Sequence, residues 1–415
     1  MMNVLRLAAL NLMRYRRRTL LTTLLITLSM VAVLLFISIS GSFKALMVGQ
    51  ITDSMLGHVQ IHRKGYVASI DNLPLHLNMK QKMVAKVHEV LSEVDGIEAV
   101  SERVKLGAMF SNFTETTSIR LNGVNPQQEI VVSPLLPSRL IEGQIDSALV
   151  ESGHILIPEL LARGMKVKPG DTIVLVANNK DGSVNGKTFV VQGVLEGISG
   201  PGGRDGYIHI DDARELLRMD SAEVSEIVIR LNNPRQIAEI SQQLRKIFGP
   251  MKNQQGKSAF EIHSWEKLSP FANIAKMIDL LTLFIKGMLI AVVLISIMNV
   301  MIMAVYERIR EIGTITAMGT LPNKVLGLFL SEGLLLGVLG SVIGTLISVV
   351  VILILNSVQI SFDFGRQENL LLTPVIHVMD ILLMSGIVVT VSVLASAQPA
   401  WKASRMEPID ALRHV

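Results

Sequence analysis

The chain has 415 residues, 49% of them hydrophobic, and a mean hydropathy of +0.46. That average is too apolar for an ordinary soluble protein, and the apolar residues are clustered. The formal net charge is only +4, and the absence of cysteine excludes disulfides, thiolate catalysis and cysteine-based zinc sites.

Residues 1–18 carry Arg6, Arg14, Arg16, Arg17 and Arg18 and no acid. An apolar run over 19–40 follows. A basic cluster before an apolar run also describes a signal peptide, and Ser38, Ser40 and Gly41 would suit cleavage. The run, however, exceeds the roughly 7–15 residues of a signal core. It reads as an uncleaved first membrane helix, with the arginines in the cytoplasm.

Residues 41–278 contain no further spanning run. They read as a soluble domain beyond the membrane, held by its own core. Residues 58–63 alternate as a strand. Residues 80–94 place Met83, Val87, Val90, Leu91 and Val94 at helical spacing, and 97–104 and 118–124 suit strands. Near the domain's end, 226–231 reads as a strand. Asn232-Asn233-Pro234 opens a helix to Phe248 with Ile237, Ile240, Leu244 and Ile247 on one face, and 260–263 closes as a strand. A strand–helix–strand unit therefore occurs at each end. Between them, about 140–217, lies a β-rich insert. Gly170-Asp171 precedes a strand over 172–177, and Asp181-Gly182 turns the chain into 188–195. Residues 197–206, with Gly200-Pro201-Gly202-Gly203, form a loop. A strand at 207–210 follows, and Asp211 is expected to cap a helix over 213–217.

The remaining segments are a second membrane helix (279–306), a cytoplasmic turn (307–324), a third helix (325–355) and an outer loop (356–374) with Asp363, Arg366 and Glu368. A fourth helix (375–397) and a tail (398–415) with Lys402, Arg405 and Arg413 complete the chain. Each span reaches the ~20 residues that cross a bilayer, and the basic flanks fall on one side. The fold class is an α-helical membrane protein with four transmembrane helices. To these is joined a mixed α+β extracytoplasmic domain of two strand–helix–strand units and a β-rich insert.

Few constellations carry chemistry. Asp181 to Thr188 nearly matches a phosphate-binding loop, but Asp181 replaces its first glycine and the segment leads into a strand, not a helix N-terminus. It reads as a hairpin turn, and no ATPase site is expected. His58 and His62 are four apart on a strand, which is not a chelating spacing, and the common hydrolase motifs are missing. No catalytic, cofactor-binding or metal residue is assigned. Lys286, Glu332 and Asp380 lie towards helix ends and read as interface anchors; a proton path would need more such groups at mid-depth. Gly333, Gly337, Gly340 and Gly344 form two G-x-x-x-G steps. They suit packing within the chain's own helices and equally packing against a second membrane subunit.

In the turn, Glu307, Arg308, Arg310 and Glu311 alternate in sign, and pairs such as Glu307–Arg310 and Arg308–Glu311 support a short helix. Ile309, Ile312, Ile315 and Met318 recur at helical spacing, and Gly313 and Gly319 permit close approach or a sharp exit. Such an element is either a solvated loop at the headgroups or a knob that docks on a cytoplasmic partner.

Glu307-Arg308-Ile309-Arg310-Glu311-Ile312-Gly313 with Ala317-Met318-Gly319 resembles the E-R-x-R-E-I-G…A-x-G element of the MacB / LolC-LolE / FtsX superfamily of ABC permeases. There it joins the second and third membrane helices. The resemblance continues in Glu332-Gly333 and the glycine ladder. It also covers the tail Pro399-Ala400-Trp401-Lys402-Ala403-Ser404-Arg405 and Pro408-Ile409-Asp410-Ala411-Leu412-Arg413. Asn11-Leu12 with Arg16-Arg17-Arg18-Thr19-Leu20-Leu21 fits as well, as do Glu142-Gly143, Gly170-Asp171-Thr172 and Val191-Gln192-Gly193-Val194 in the external domain.

The resemblance implies a bacterial inner-membrane permease with a MacB-like periplasmic domain carried on stalk extensions of the first two helices. It implies a second permease subunit, in a homodimer or heterodimer. Residues Glu307, Arg308, Arg310, Glu311, Ile312, Gly313, Ala317, Met318 and Gly319 would then form a coupling helix that receives force from a separate cytoplasmic ABC ATPase. That partner binds ATP and magnesium; this chain is non-enzymatic and holds no cofactor. A periplasmic carrier or adaptor and membrane lipid are further expected partners, and nucleic acid is not. The length, the lack of a fused ATPase and the strand Gly57-His58-Val59-Gln60-Ile61 resemble the lipoprotein-releasing LolC/LolE branch. The implied function is extrusion of lipoproteins or other lipophilic molecules by mechanotransmission. The alternative is FtsX-like signalling to a periplasmic partner such as a cell-wall hydrolase; the large β-rich insert favours transport.

Overall fold

The computed structural model describes residues 2–407 except 147, 199–202, 220, 253–255, 257 and 365–366. The expected tail motif at 408–413, most of the glycine loop at 200–202 and Arg366 lie outside them. The chain begins with α1 (Met2–Arg14) and α2 (Arg16–Ile51), then one turn of π-helix (Thr52–Leu56). There follow β1 (Val59–Arg63), α3 (Gln81–Leu91), β2 (Ile97–Ser111), β3 (Thr116–Val124), α4 (Pro126–Val132) and β4 (Leu140–Gly143). Next come β5 (His154–Pro158), α5 (Glu159–Met165), β6 (Thr172–Asn178), β7 (Val184–Leu195), β8 (Gly206–His209) and α6 (Ile210–Leu216). The domain ends with β9 (Glu226–Leu231), α7 (Ile237–Phe248), β10 (Phe260–Ser264) and α8 (Trp265–Leu268). Then come α9 (Phe271–Glu307), α10 (Ile309–Ala317), α11 (Pro322–Val358), β11 (Ser361–Phe364), β12 (Gln367–Leu371) and α12 (Val378–Ser404). Two compact units result: residues 46–275 with 363–368, and the rest.

In the first unit the two strand–helix–strand pieces interleave. The strand order is β10-β1-β9-β2, every neighbour antiparallel. β1 therefore lies between the two strands of the later piece, and β9 between those of the earlier one, a split βαβ arrangement. Alternation along the strands sends Val59, Ile61, Ile227, Ile229 and Ile262 to one face, where Val87, Leu91, Leu244 and Phe248 of α3 and α7 cover them.

The β-rich insert is not a separate body. β2 is 15 residues long: its first part pairs with β9, its second with β3, and its end also with β6. Following the pairings β2-β3-β8-β5-β7-β6 and back to β2 closes a six-stranded ring. Leu106, Phe110, Leu121, Ile157, Leu175, Phe189 and Ile208 fill it, so it is a packed core. At the β6–β7 hairpin Gly182 sits at φ +84°, a left-handed value that suits glycine, and Asn179 N–H donates to Ser183 O at 2.7 Å. The helix near 213 departs from expectation. It starts at Ile210, and His209 Nδ1, not Asp211, accepts the Asp211 N–H at 3.2 Å. Asp211 is free to pair with Arg214 at 3.1 Å one turn on.

The sheet's other face is polar and buried. Arg103 donates Nη2 to Glu129 Oε1 at 2.5 Å, and Nη1 to Glu226 Oε1 at 3.2 Å and to Met55 O at 2.6 Å. Lys105 lies 3.5 Å and His62 Nε2 3.4 Å from Glu226. Burial alone would raise the Glu226 carboxyl, but Lys105, His62 and Arg103 together hold it well below the usual carboxylate range. His58 also has a local role: its Nδ1 accepts the Leu231 N–H at 2.9 Å.

In the second unit α2, α9, α11 and α12 are long and apolar enough to cross a membrane. They extend beyond the apolar runs of the sequence, α2 to Ile51 and α9 back to Phe271. The glycine ladder divides between two neighbours in the same chain. A Cβ on Gly337 would lie 2.7 Å from Ser392 Oγ of α12, and one on Gly344 2.7 Å from Met30 Cβ of α2. Gly333 likewise meets Ser396, and Gly340 meets Ile26. Small residues at these steps let the helix axes approach.

Two outcomes follow for the soluble part of the chain. Arg103→Ala leaves Glu129 buried without its cation and Glu226 with Lys105 as its remaining cationic neighbour, and is expected to cost about 3–5 kcal/mol in denaturant unfolding of the purified protein. Burial would raise the Glu261 carboxyl, but His263 and the Val67 N–H hold it down at about 2, against an unfolded value of 4.5. Its contribution is complete above pH 4.5 and is lost as pH falls towards 2. Glu261→Gln should therefore flatten the pH dependence of the melting temperature across that window.

Candidate functional site: the turn between α9 and α11

The turn is built by three local breaks. Arg308, at φ −111° and ψ 18°, leaves the helical region between α9 and α10. Gly319, at φ +88°, lets the chain reverse after α10. Pro322 then opens α11 at a position where its missing N–H costs nothing.

Behind the turn lies a buried ionic knot. Arg308 is 4% exposed and Glu332 is fully buried. Arg308 Nη1 donates to Glu332 Oε1 at 2.9 Å, and Asn11 Nδ2 donates to the same oxygen at 2.9 Å. The Arg308 guanidinium sits 4.2 Å from the centre of the Tyr15 ring, a cation–π contact. Arg18 lies 3.8 Å from Glu332 and 3.6 Å from Glu307, and Arg14 lies 3.7 Å from Glu311. One carboxylate thus ties together α1, the start of α2, the α9–α10 junction and α11. Glu332 is a hub and not an interface anchor. Arg308, Glu307 and Glu311 are matched from other helices.

The expected site residues divide by face. Arg308, Ile312 and Gly313 point into the bundle, while Glu307, Arg310, Glu311, Ala317, Met318 and Gly319 are exposed. The apolar spacing misleads here. Steps of three residues drift by about 60° each on a helix of 3.6 residues per turn. Ile309 and Ile312 therefore face the bundle, but Ile315 and Met318 have rotated outwards, Met318 to 74% exposure. Tyr306 and Leu321 are exposed as well, so the segment 306–321 leaves four large apolar side chains uncovered, in a stretch that also carries exposed Arg310 and Glu311. Tyr306 and Leu321 were not expected in the site, nor were Asn11, Tyr15 and Arg18. The last three do recur at helical spacing (i, i+4, i+7), which marks one face but not its partner. Among the described residues no group of three His, Asp or Glu is arranged to hold a metal.

Glu332→Gln leaves Arg308 buried beside a neutral partner, and should lower the stability of the detergent-solubilised protein by about 3–5 kcal/mol. The double variant Arg308→Gln/Glu332→Gln should cost clearly less than the sum of the two single changes. Additive losses in thermal unfolding would show that the two side chains do not act as a pair.

Residues 19–247 match the family model of the MacB-like periplasmic core domain, and residues 283–408 that of the FtsX-like permease C-terminal region. The lipoprotein-releasing system transmembrane protein LolC of Xylella fastidiosa (strain Temecula1) is 22% identical over 324 residues, 71% of this chain and 72% of that protein. The macrolide export ATP-binding/permease protein MacB of Nitrobacter winogradskyi is 30% identical over 234 residues, 55% of this chain and 34% of that protein. Among solved structures, the periplasmic region of MacB from Actinobacillus actinomycetemcomitans aligns with 50% of this chain and 89% of its own, at 14% identity. The TM-score of that alignment is 0.34.

Proposed function

The chain belongs to the MacB/LolC/FtsX superfamily of ABC transporter permeases, and from that premise we propose how it works. It is a non-catalytic subunit that couples ATP hydrolysis by a separate cytoplasmic ATPase to movements of its periplasmic domain. It thereby extracts lipoproteins or other lipophilic molecules from the bacterial inner membrane, as one half of a homodimer or heterodimer. Residues 1–18, 307–324 and 398–415 lie in the cytoplasm and 41–278 in the periplasm.

The observation that carries this reading is the set of exposed apolar side chains on the turn. Tyr306, Ile315, Met318 and Leu321 are large, apolar and exposed, and charges flank them. An apolar centre with a charged edge is the composition of a docking knob. Behind it, Arg308 and Glu332 are both buried, so α10 cannot tilt without either dragging α11 or breaking the pair. A push on these side chains is thus delivered to the membrane helices. Similarity to LolC along most of both chains supports a lipoprotein cargo, and similarity to a macrolide exporter supports lipophilic cargo more generally.

Because the chain has no cysteine, single cysteines give a clean test. Met318→Cys should cross-link to a co-expressed ABC ATPase and resist membrane-impermeant maleimide in intact spheroplasts. Met109→Cys, exposed on β2, should behave in the opposite way. Equal labelling of the two positions would overturn the proposed topology and with it the docking role.

A further inference from the structure

One face of the membrane unit is left open by the protein. A groove with a cavity volume of about 1140 Å³ runs between Leu20, Leu24 and Leu28 of α2 and Leu335, Leu339 and Ile343 of α11. Residues spaced by three and four keep each stripe on a single face of its helix. The two helices touch along the adjacent stripe, where Gly340 meets Ile26 and Gly344 meets Met30. Thr27 Oγ1 donates there to Gly340 O at 3.4 Å. Beside that seam Leu20, Leu24, Leu28, Leu339 and Ile343 are exposed, and the groove lies between them.

The groove has a polar end. Arg16 and Met13 line it on the N-terminal side, and no acidic residue lines it anywhere. Arg16 is exposed, and among the described residues its guanidinium contacts only Met13 O, through Nε at 3.3 Å. Arg6 and Arg17 are exposed in the same segment. Arg6, Ala9, Met13 and Arg16 follow one another at steps of three and four, so the basic stripe runs into the apolar one.

We infer that this groove binds an anionic phospholipid from the leaflet that holds the N-terminus. Its acyl chains lie along the leucine stripes and its phosphate meets Arg16. Charge selects this occupant over the alternatives. A second copy using the same face would be related by a two-fold axis, and would set its own Arg16 and Arg6 against these. A zwitterionic lipid offers the arginines no net charge. Basic residues at a membrane surface attract anionic lipid, and here an apolar slot of matching direction begins beside them.

The test uses the full chain purified from vesicles holding equal amounts of dioleoylphosphatidylglycerol and dioleoylphosphatidylcholine, with retained lipid counted by native mass spectrometry. Wild type should retain the glycerol lipid preferentially. Arg16→Gln should reduce that preference by about fivefold, the weight of one basic side chain at an anionic surface. Leu339→Trp should fill the groove and release the lipid without shifting the melting temperature. Equal retention of both lipids by wild type overturns the proposal. So does a preference that neither variant changes, since the lipid then sits elsewhere. Self-cross-linking of Leu24→Cys that Leu339→Trp abolishes would assign the groove to a second copy and also overturn it.

Discussion

The buried pair of Arg308 and Glu332 is the constraint on which the geometry around the α9–α11 turn depends. Two opposite charges withdrawn from water are costly unless their geometry is kept. Here Asn11, Tyr15 and Arg18 complete the surroundings of that pair. The consequence is positional. The chain must leave α9 at Arg308 with a non-helical residue so that the guanidinium can turn inwards. α10 then begins with its orientation already set, Ile312 inward and Met318 outward.

The soluble unit uses the same device. Arg103, buried and bound to Glu129 and Glu226, also takes the carbonyl of Met55 in the π-turn. A chain segment that leaves a helix is again held by a buried guanidinium with several donors at fixed angles. Arginine suits this role because its planar fork can satisfy carboxylates and a backbone oxygen together. In both units the arginine fixes a junction between elements, where backbone hydrogen bonds are fewest.

Close backbone approach does the remaining work in the membrane unit. Without a hydrophobic drive between helices in lipid, association rests on packing. The upper and lower halves of the glycine ladder serve different neighbours, α2 and α12. One helix, α11, therefore carries both the buried carboxylate and both close seams. It is the element on which α1, α2 and α12 all pack.

Much of this was legible without coordinates. Four spans stand out because a bilayer demands uninterrupted apolar runs. The strands and helices of the two terminal units stand out because burial on one face imposes periods of 2 and 3.6. The charged turn was legible by its composition, as was the capacity of Gly333, Gly337, Gly340 and Gly344 for close packing. What remained hidden is non-local. Nothing in the order of residues says that β1 slots between β9 and β10, or that β2 is long enough to serve both a sheet and a barrel. Glu332 looked like an interface anchor because its partners lie 24 and 321 residues away. The residues at 309, 312, 315 and 318 read as one apolar side because three-residue steps imitate a helical stripe before drifting off it. The sequence by itself determined which segments are helical, stranded or membrane-spanning, since those follow from local periodicity and local cost. Only the tertiary structure decided which charges are buried and which face of the turn is free, because both depend on what distant segments bring alongside.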